Sequence, residues 1–142
     1  MEKALNYLAL ARKAGLAELG EEPVGALARA GKARLVLVAS DATDHTWRRA
    51  RSFVAETNQI CIRVPFTKDQ MGQAVGRSSL ALAAFTDPAM ALALVKALDQ
   101  PEPQVLEALQ QSADRVRQRQ KEEKAHQRNR KLGHRKGQTK QK

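Results

Sequence analysis

The sequence predicts an α/β fold, a three-layer αβα sandwich with a four-stranded mixed sheet, followed by a basic helical or disordered C-terminal tail. Three observations predict it. Short apolar runs such as Leu35-Val36-Leu37-Val38-Ala39 show no polar alternation, the pattern of strands covered on both faces. Segments with apolar residues at helical spacing alternate with these runs as far as Leu98. The charge is also unevenly placed. Arg115 to Lys142 holds 12 Lys and Arg against 2 Asp and Glu, out of 25 basic and 15 acidic residues in all. The other 114 residues therefore balance at 13 of each sign, and the net charge of +10 belongs to the tail.

The elements follow in order. Leu5, Leu8 and Ala9 give a first helix its apolar stripe, and Gly15 after Arg12-Lys13 stops it. Leu16 to Leu19 has room only for a short strand. Gly20-Glu21-Glu22-Pro23 opens a second helix: proline is favoured in a first turn, and acidic side chains there complement the helix dipole. That helix ends at Gly31. The second strand is Leu35 to Ala39, and Ser40, Asp41 or Thr43 can cap the helix after it. Trp47, Ala50, Phe53 and Val54 form the inner face of that helix, with Arg48, Arg49 and Arg51 outside. Ile60 to Pro65 is a third strand, Thr67 to Val75 a short helix stopped by Gly76, and Leu80 to Phe85 a fourth strand. Thr86-Asp87-Pro88 starts a last helix of the body, ending near Leu98.

Pro101-Glu102-Pro103 then punctuates the chain, which divides into a body, 1–100, and a linker, helix and basic tail, 101–142. Val105, Leu109, Ser112 and Val116 continue a narrow helical stripe. Beyond Val116 the sequence is basic, rich in Gln and nearly without apolar residues, and after Gly133 it is expected to lack structure of its own. No run of 18 apolar residues occurs, so no membrane-spanning helix is expected, and the N-terminal segment reads as a helix of the mature protein. The single cysteine, Cys61, excludes an internal disulfide and fits a reducing, cytoplasmic setting.

Catalytic patterns fail one by one. Gly25 to Ala33, GALARAGKA, has five residues between its glycines where a phosphate loop has four, and Ala33 replaces the hydroxyl that would meet Mg²⁺. There is no GxGxxG. Cys61 with His45 as its base is a weaker reading than a small core residue in a strand. His45, His126 and His134 have no metal-ligand spacing, so neither metal nor cofactor is expected. Asp41 and Asp44 follow a strand, where α/β enzymes place catalytic groups, but helix capping explains them. A binding site is easier to assemble. Gly20 to Val24, Ala39 to Ala42, and Gly76 to Leu80 all lie at junctions between strands and helices. They offer hydroxyls, backbone amides and, at Arg77-Ser78-Ser79, a cation with two donors.

Four landmarks in register resemble the family of ribosomal proteins L-seven-Ae and L-thirty-e, and most closely its short bacterial YlxQ-type members. They are ALNYLALARKAGLAELGEE, the eleven-step spacing from Gly20 to Gly31, GKARLVLVASDAT, and MGQAVGRSSLALAAFTD. The resemblance spans Leu5 to Leu98 and implies a non-catalytic fold that docks kink-turn RNA with one end. In that family Asn, Glu and Lys of the second helix read sheared G·A pairs. Their positions here are Glu22, Pro23 and Ala26, none of which matches. The A-x-D-A turn is kept as Ala39-Ser40-Asp41-Ala42, and the second contact loop becomes Gly76-Arg77-Ser78-Ser79-Leu80, more polar than in the family.

The expected RNA-binding residues are thus Gly20, Glu21, Glu22, Val24, Ser40, Asp41, Gly76, Arg77, Ser78 and Ser79. From the tail come Arg115, Arg117, Arg119, Lys121, Lys124, Arg128, Arg130, Lys131, Arg135 and Lys136, which would supply phosphate affinity with little sequence preference. The expected partner is RNA, ribosomal RNA first, with the ribosome or its assembly factors as further partners, bound by a monomer that acts on the ribosome, in its biogenesis or in translation. The rival readings are a substrate-binding module of an RNA-modifying enzyme and an adaptor for an acidic protein.

Overall fold

The computed structural model describes the backbone of residues 2–140 and the side chains of residues 2–130. The elements alternate as α1 (Lys3–Lys13), β1 (Ala17–Leu19), α2 (Glu21–Arg29), β2 (Leu35–Val38), α3 (Asp44–Val54), β3 (Cys61–Arg63), α4 (Lys68–Ala74), β4 (Leu82–Phe85) and α5 (Pro88–Lys96). A long helix, α6 (Pro103–Lys140), closes the chain. The four strands form one mixed sheet in the order β1-β4-β2-β3. β4 runs antiparallel to both β1 and β2, and β3 lies parallel to β2 at the edge.

The unbroken apolar runs are explained by two separate cores, because successive strand residues face opposite sides. Leu35, Leu37, Ala83 and Phe85 join Leu8 of α1, Met71 of α4, Leu94 of α5 and Leu109 of α6 on one face. Val36, Val38, Leu82 and Ala84 join Val24 and Ala28 of α2 and Ala50 of α3 on the other. All eight residues of β2 and β4 are buried, as a sheet between two helix layers requires. The sandwich is therefore the one the sequence predicts.

Helix ends follow their sequence signals. Thr43 caps α3 by accepting from the Thr46 N–H at 3.2 Å. Thr67 and Gln70 form a reciprocal capping box on α4. Asp87 caps α5 ahead of Pro88.

The tail departs from its outline. Val105, Leu109 and Ala113 are buried, and α6 packs its first turns along α5. The stripe that begins at Val105 thus completes the core shared by α1, α4 and α5. The helix also continues through Gly133 to Lys140, where an unstructured end was expected. No proline follows Pro103, and Gln, Arg, Lys and Glu all favour helix. Every side chain from Arg117 to Arg130 is exposed, so beyond the body this helix is held by its own hydrogen bonds.

Candidate functional site

The strand directions bring the three junction segments to one end of the sheet. Gly20 leaves β1 beside the start of β4 and donates its N–H to the Leu82 carbonyl at 2.9 Å. Ala39 leaves β2 on the other flank of β4 and donates to the Ala81 carbonyl, also at 2.9 Å. The segment from Gly76 to Ala81 enters β4 between them. β4 is therefore the spacer that sets the distance between the first and second segments.

The α4–β4 loop is folded tightly onto its own helix. Gly76 has φ +75° and sits one residue beyond the helix cap. The Arg77 N–H then donates to the Gly72 carbonyl at 2.8 Å, and the Gly76 N–H to Gln73 at 3.4 Å, the paired bonds of a glycine-terminated helix. This turn returns the chain so closely that a Cβ on Gly72 would lie 2.8 Å from the Arg77 oxygen and from the Ser79 N and Cα. The fold thus requires glycine at position 72 as well as at Gly76. Arg77, Ser78 and Ser79 are all exposed.

Across the end, Arg77 reaches α2. Gly20, with φ +95°, lies beneath it: a Cβ there would be 4.0 Å from an Arg77 guanidinium nitrogen and 3.9 Å from Pro23 Cδ. The guanidinium therefore stands over the N-terminus of α2. That terminus has no side-chain cap, and its acidic residues are Glu21 and Glu22. Glu21 is ion-paired with Arg49 of α3, and Arg49 also lies 5.5 Å from the Phe53 ring centroid. Glu22 has no ion-pair partner among the described residues.

The β2–α3 loop closes the third side. Ser40 donates its N–H to the Phe66 carbonyl at 2.8 Å, and the Asp41 carboxylate accepts from the Lys68 N–H at 2.8 Å. Asp41 therefore caps α4 across the loops while Thr43 caps α3. Ser40 and Asp41 are exposed, so both remain at the surface of this end.

Of the residues named from the sequence, Gly20, Glu21, Glu22, Ser40, Asp41, Gly76, Arg77, Ser78 and Ser79 share this end. Val24 does not reach the surface: it is fully buried beneath α2, where it supports the helix. Arg115, Arg117, Arg119, Lys121, Lys124, Arg128 and Arg130 are exposed along α6, apart from the loop cluster. The side chains of Lys131, Arg135 and Lys136 lie outside the described residues. Along α6, Arg117 meets Asp114 at 3.8 Å, and the rest of that cationic surface makes no ion pair among the described residues. Arg49 and Gly72 were not singled out as site residues. Arg49 belongs there through packing between α2 and α3, and Gly72 through a backbone approach that spacing alone does not show.

Among the described residues, no three His, Cys, Asp or Glu side chains converge as metal ligands. Burial pushes the Cys61 thiol up to about 11, more than the nearby Arg51 and Arg63 lower it, so it stays protonated at neutral pH. No helix of the described residues is long and apolar enough to cross a membrane.

No family model and no curated protein matches the sequence. Solved structures do. A protein of unknown function from Bacillus halodurans aligns at 25% identity with a TM-score of 0.64, over 70% of this chain and 100% of its own. The 15.5 kD RNA-binding protein of Giardia lamblia aligns at 19% identity with a TM-score of 0.55, over 74% of this chain and 85% of its own. The first covers most of the body, and the second shows that an RNA-binding protein shares the fold.

Proposed function

We propose that this chain is a non-catalytic RNA-binding protein of the L-seven-Ae-like type, a YlxQ-type member acting on ribosomal RNA. The observation that carries this reading is the convergence of Gly20, Ser40 and Arg77 at one end of the sheet. That end combines a helix N-terminus, two loops with free hydroxyls and an exposed guanidinium, all groups that suit a phosphate backbone. The RNA-binding Giardia protein of the same fold supports it. In this reading the body, to Asp114, selects RNA by shape. The arm, from Arg115, holds phosphates.

Arg77→Ala tests the contact. The side chain is exposed and makes no ion pair among the described residues, so its loss should change stability by less than about 0.5 kcal/mol. A guanidinium–phosphate contact contributes more, about 1.5 kcal/mol, so Kd for a structured ribosomal RNA fragment should rise roughly tenfold. Binding equal to the parent's at one fixed salt concentration would remove the loop from the interface.

Base selectivity tests the kind of RNA. Glu22, Pro23 and Ala26 are all exposed on α2, at the positions where the family reads G·A pairs. Proline and alanine side chains offer no hydrogen bonds. The protein should therefore prefer a standard kink-turn only modestly over a control with the G·A pairs replaced. Each missing bidentate contact removes about 1–3 kcal/mol of discrimination. The triple variant Glu22→Asn, Pro23→Glu, Ala26→Lys should widen the gap. Pro23→Glu also returns an N–H to the first turn, where its absence cost little. Strong G·A dependence in the unmodified protein would mean that other side chains read the bases.

A further inference from the structure

The edge of the sheet opposite β1 carries a second surface. Among the described residues β3 pairs only with β2, and its other side opens on a cleft of about 1330 Å³ between α3 and the α5–α6 connection. That volume exceeds the ~300–1,000 Å³ of ordinary small-molecule pockets, and the cleft is partly open to solvent, so a chain fits it better than a compact ligand. Ser40, at the loop end described above, is also part of its lining, so the two surfaces are continuous.

The floor of the cleft has a particular chemistry. Trp47 is half-buried, held from below by the α2–α3 core. Two guanidiniums lie over its ring: Arg63 of β3 at 4.7 Å from the centroid and Arg51 of α3 at 5.8 Å. Arg48 lines the same wall. An indole carrying planar guanidiniums is a stacking platform with cations at its rim. The opposite wall presents Asp99 and Glu102, whose carboxylates are acceptors. The bonds from the Val36 N–H to Ile60 O (2.7 Å) and from the Val64 N–H to Val38 O (2.9 Å) turn those peptide groups toward β2. By alternation the peptide groups of Cys61 and Arg63 face the cleft.

We propose that this β3-edge cleft binds unpaired RNA, stacking a base on the Trp47–Arg63 platform and placing phosphates on Arg48 and Arg51. The proposal rests on the RNA-binding reading and adds a second, single-strand site contiguous with the docking end. A free strand edge would serve an extended peptide equally well. The platform and the wall charges separate the two. Bases have π-faces for the stack and amino groups for Asp99 and Glu102. The side chains of an acidic peptide offer neither.

Trp47 is the protein's single tryptophan, so its fluorescence reports this cleft alone. The full chain is titrated with a ten-nucleotide unstructured RNA bearing a dye, with anisotropy following binding and tryptophan emission following stacking. The expected result is a quench of half or more that saturates with the anisotropy. In Arg51→Ala/Arg63→Ala its midpoint should rise about tenfold, whereas in Arg77→Ala it should hardly move. Base-free polyphosphate should bind without quenching. Binding without a quench overturns the cleft while leaving the docking end intact. No binding at all overturns the cleft and the phosphate affinity of the arm, whereas the docking end stands or falls with the structured-RNA titration of Arg77→Ala. A quench reproduced by polyglutamate assigns the cleft to an acidic peptide and overturns the proposal.

Discussion

Gly72→Ala should lower the melting temperature by roughly 3–8 °C, a loss of about 1–2 kcal/mol, and weaken RNA binding with it. The direction is opposite to what helix propensity suggests. Gly72 lies inside α4, where alanine is normally better than glycine by about 1 kcal/mol. Here the added Cβ would stand 2.8 Å from three backbone atoms of the following loop. Backbone cannot swing aside as a flexible side chain can. The loop must move as a unit, at the upper end of the about 1–3 kcal/mol that overpacking costs, and the propensity gain of about 1 kcal/mol offsets only part of it. What moves is the segment that carries Arg77, Ser78 and Ser79. Thermal unfolding and RNA titration of the same variant test both halves of the claim. Gln73→Ala, an exposed neighbour in the same helix, is the control and should change neither. A variant as stable as the parent would mean that the loop yields at no cost, and that its close approach does not position the contact residues.

The elements of this fold were legible where one residue type settles a local conformation. Gly15, Gly31 and Gly76 all have positive φ just beyond helix caps, at the places where the sequence puts helix stops. β2 and β4 were legible because a strand between two helix layers has no polar side to confuse its pattern. The order of the strands was not, since the apolar runs of β1, β2 and β4 carry no record of which lies beside which. The approach of Arg77 to Gly20 depends on β1 and β2 flanking β4, so it was hidden for the same reason. The partner of α6 left a trace. α5, PAMALALVK, buries Pro88, Ala91, Leu92, Leu94 and Val95, too wide an arc for the sheet alone to cover. A helix apolar on so many sides calls for a second neighbour, and Val105 and Leu109 supply it. The β3 cleft left almost no trace, because Trp47 reads as core until β3 is known to be an edge.

Deletion of Arg115 to Lys142 should leave the body folded and remove most of its affinity for RNA. The cut falls after Ala113, the last buried residue of α6 among the described ones, so the turns that cover α5 remain. The removed segment carries the whole net charge of +10, and the body that remains is neutral. Affinity for a polyanion depends on counterions released as phosphates are neutralised, and each contact on a single strand adds about −0.7 to the slope of log K against log salt. About five contacts from the arm would set that slope near −3.5, and steeper on a duplex. At 0.1 M salt the same contacts correspond to roughly a thousandfold in affinity relative to 1 M. The truncated chain should therefore bind about 10³-fold more weakly at 0.1 M and keep only the shallow slope of the body's own contacts, about −0.7 for each phosphate met by a residue such as Arg77. Its preference among RNA shapes should survive, because the loops around Gly20, Ser40 and Arg77 are untouched. Titrations at four or more salt concentrations, with circular dichroism to confirm the fold, give both the slope and the intercept. An unchanged slope would place the phosphate contacts on the body. A flat slope with lost shape preference would mean that the arm, and not the docking end, selects the RNA.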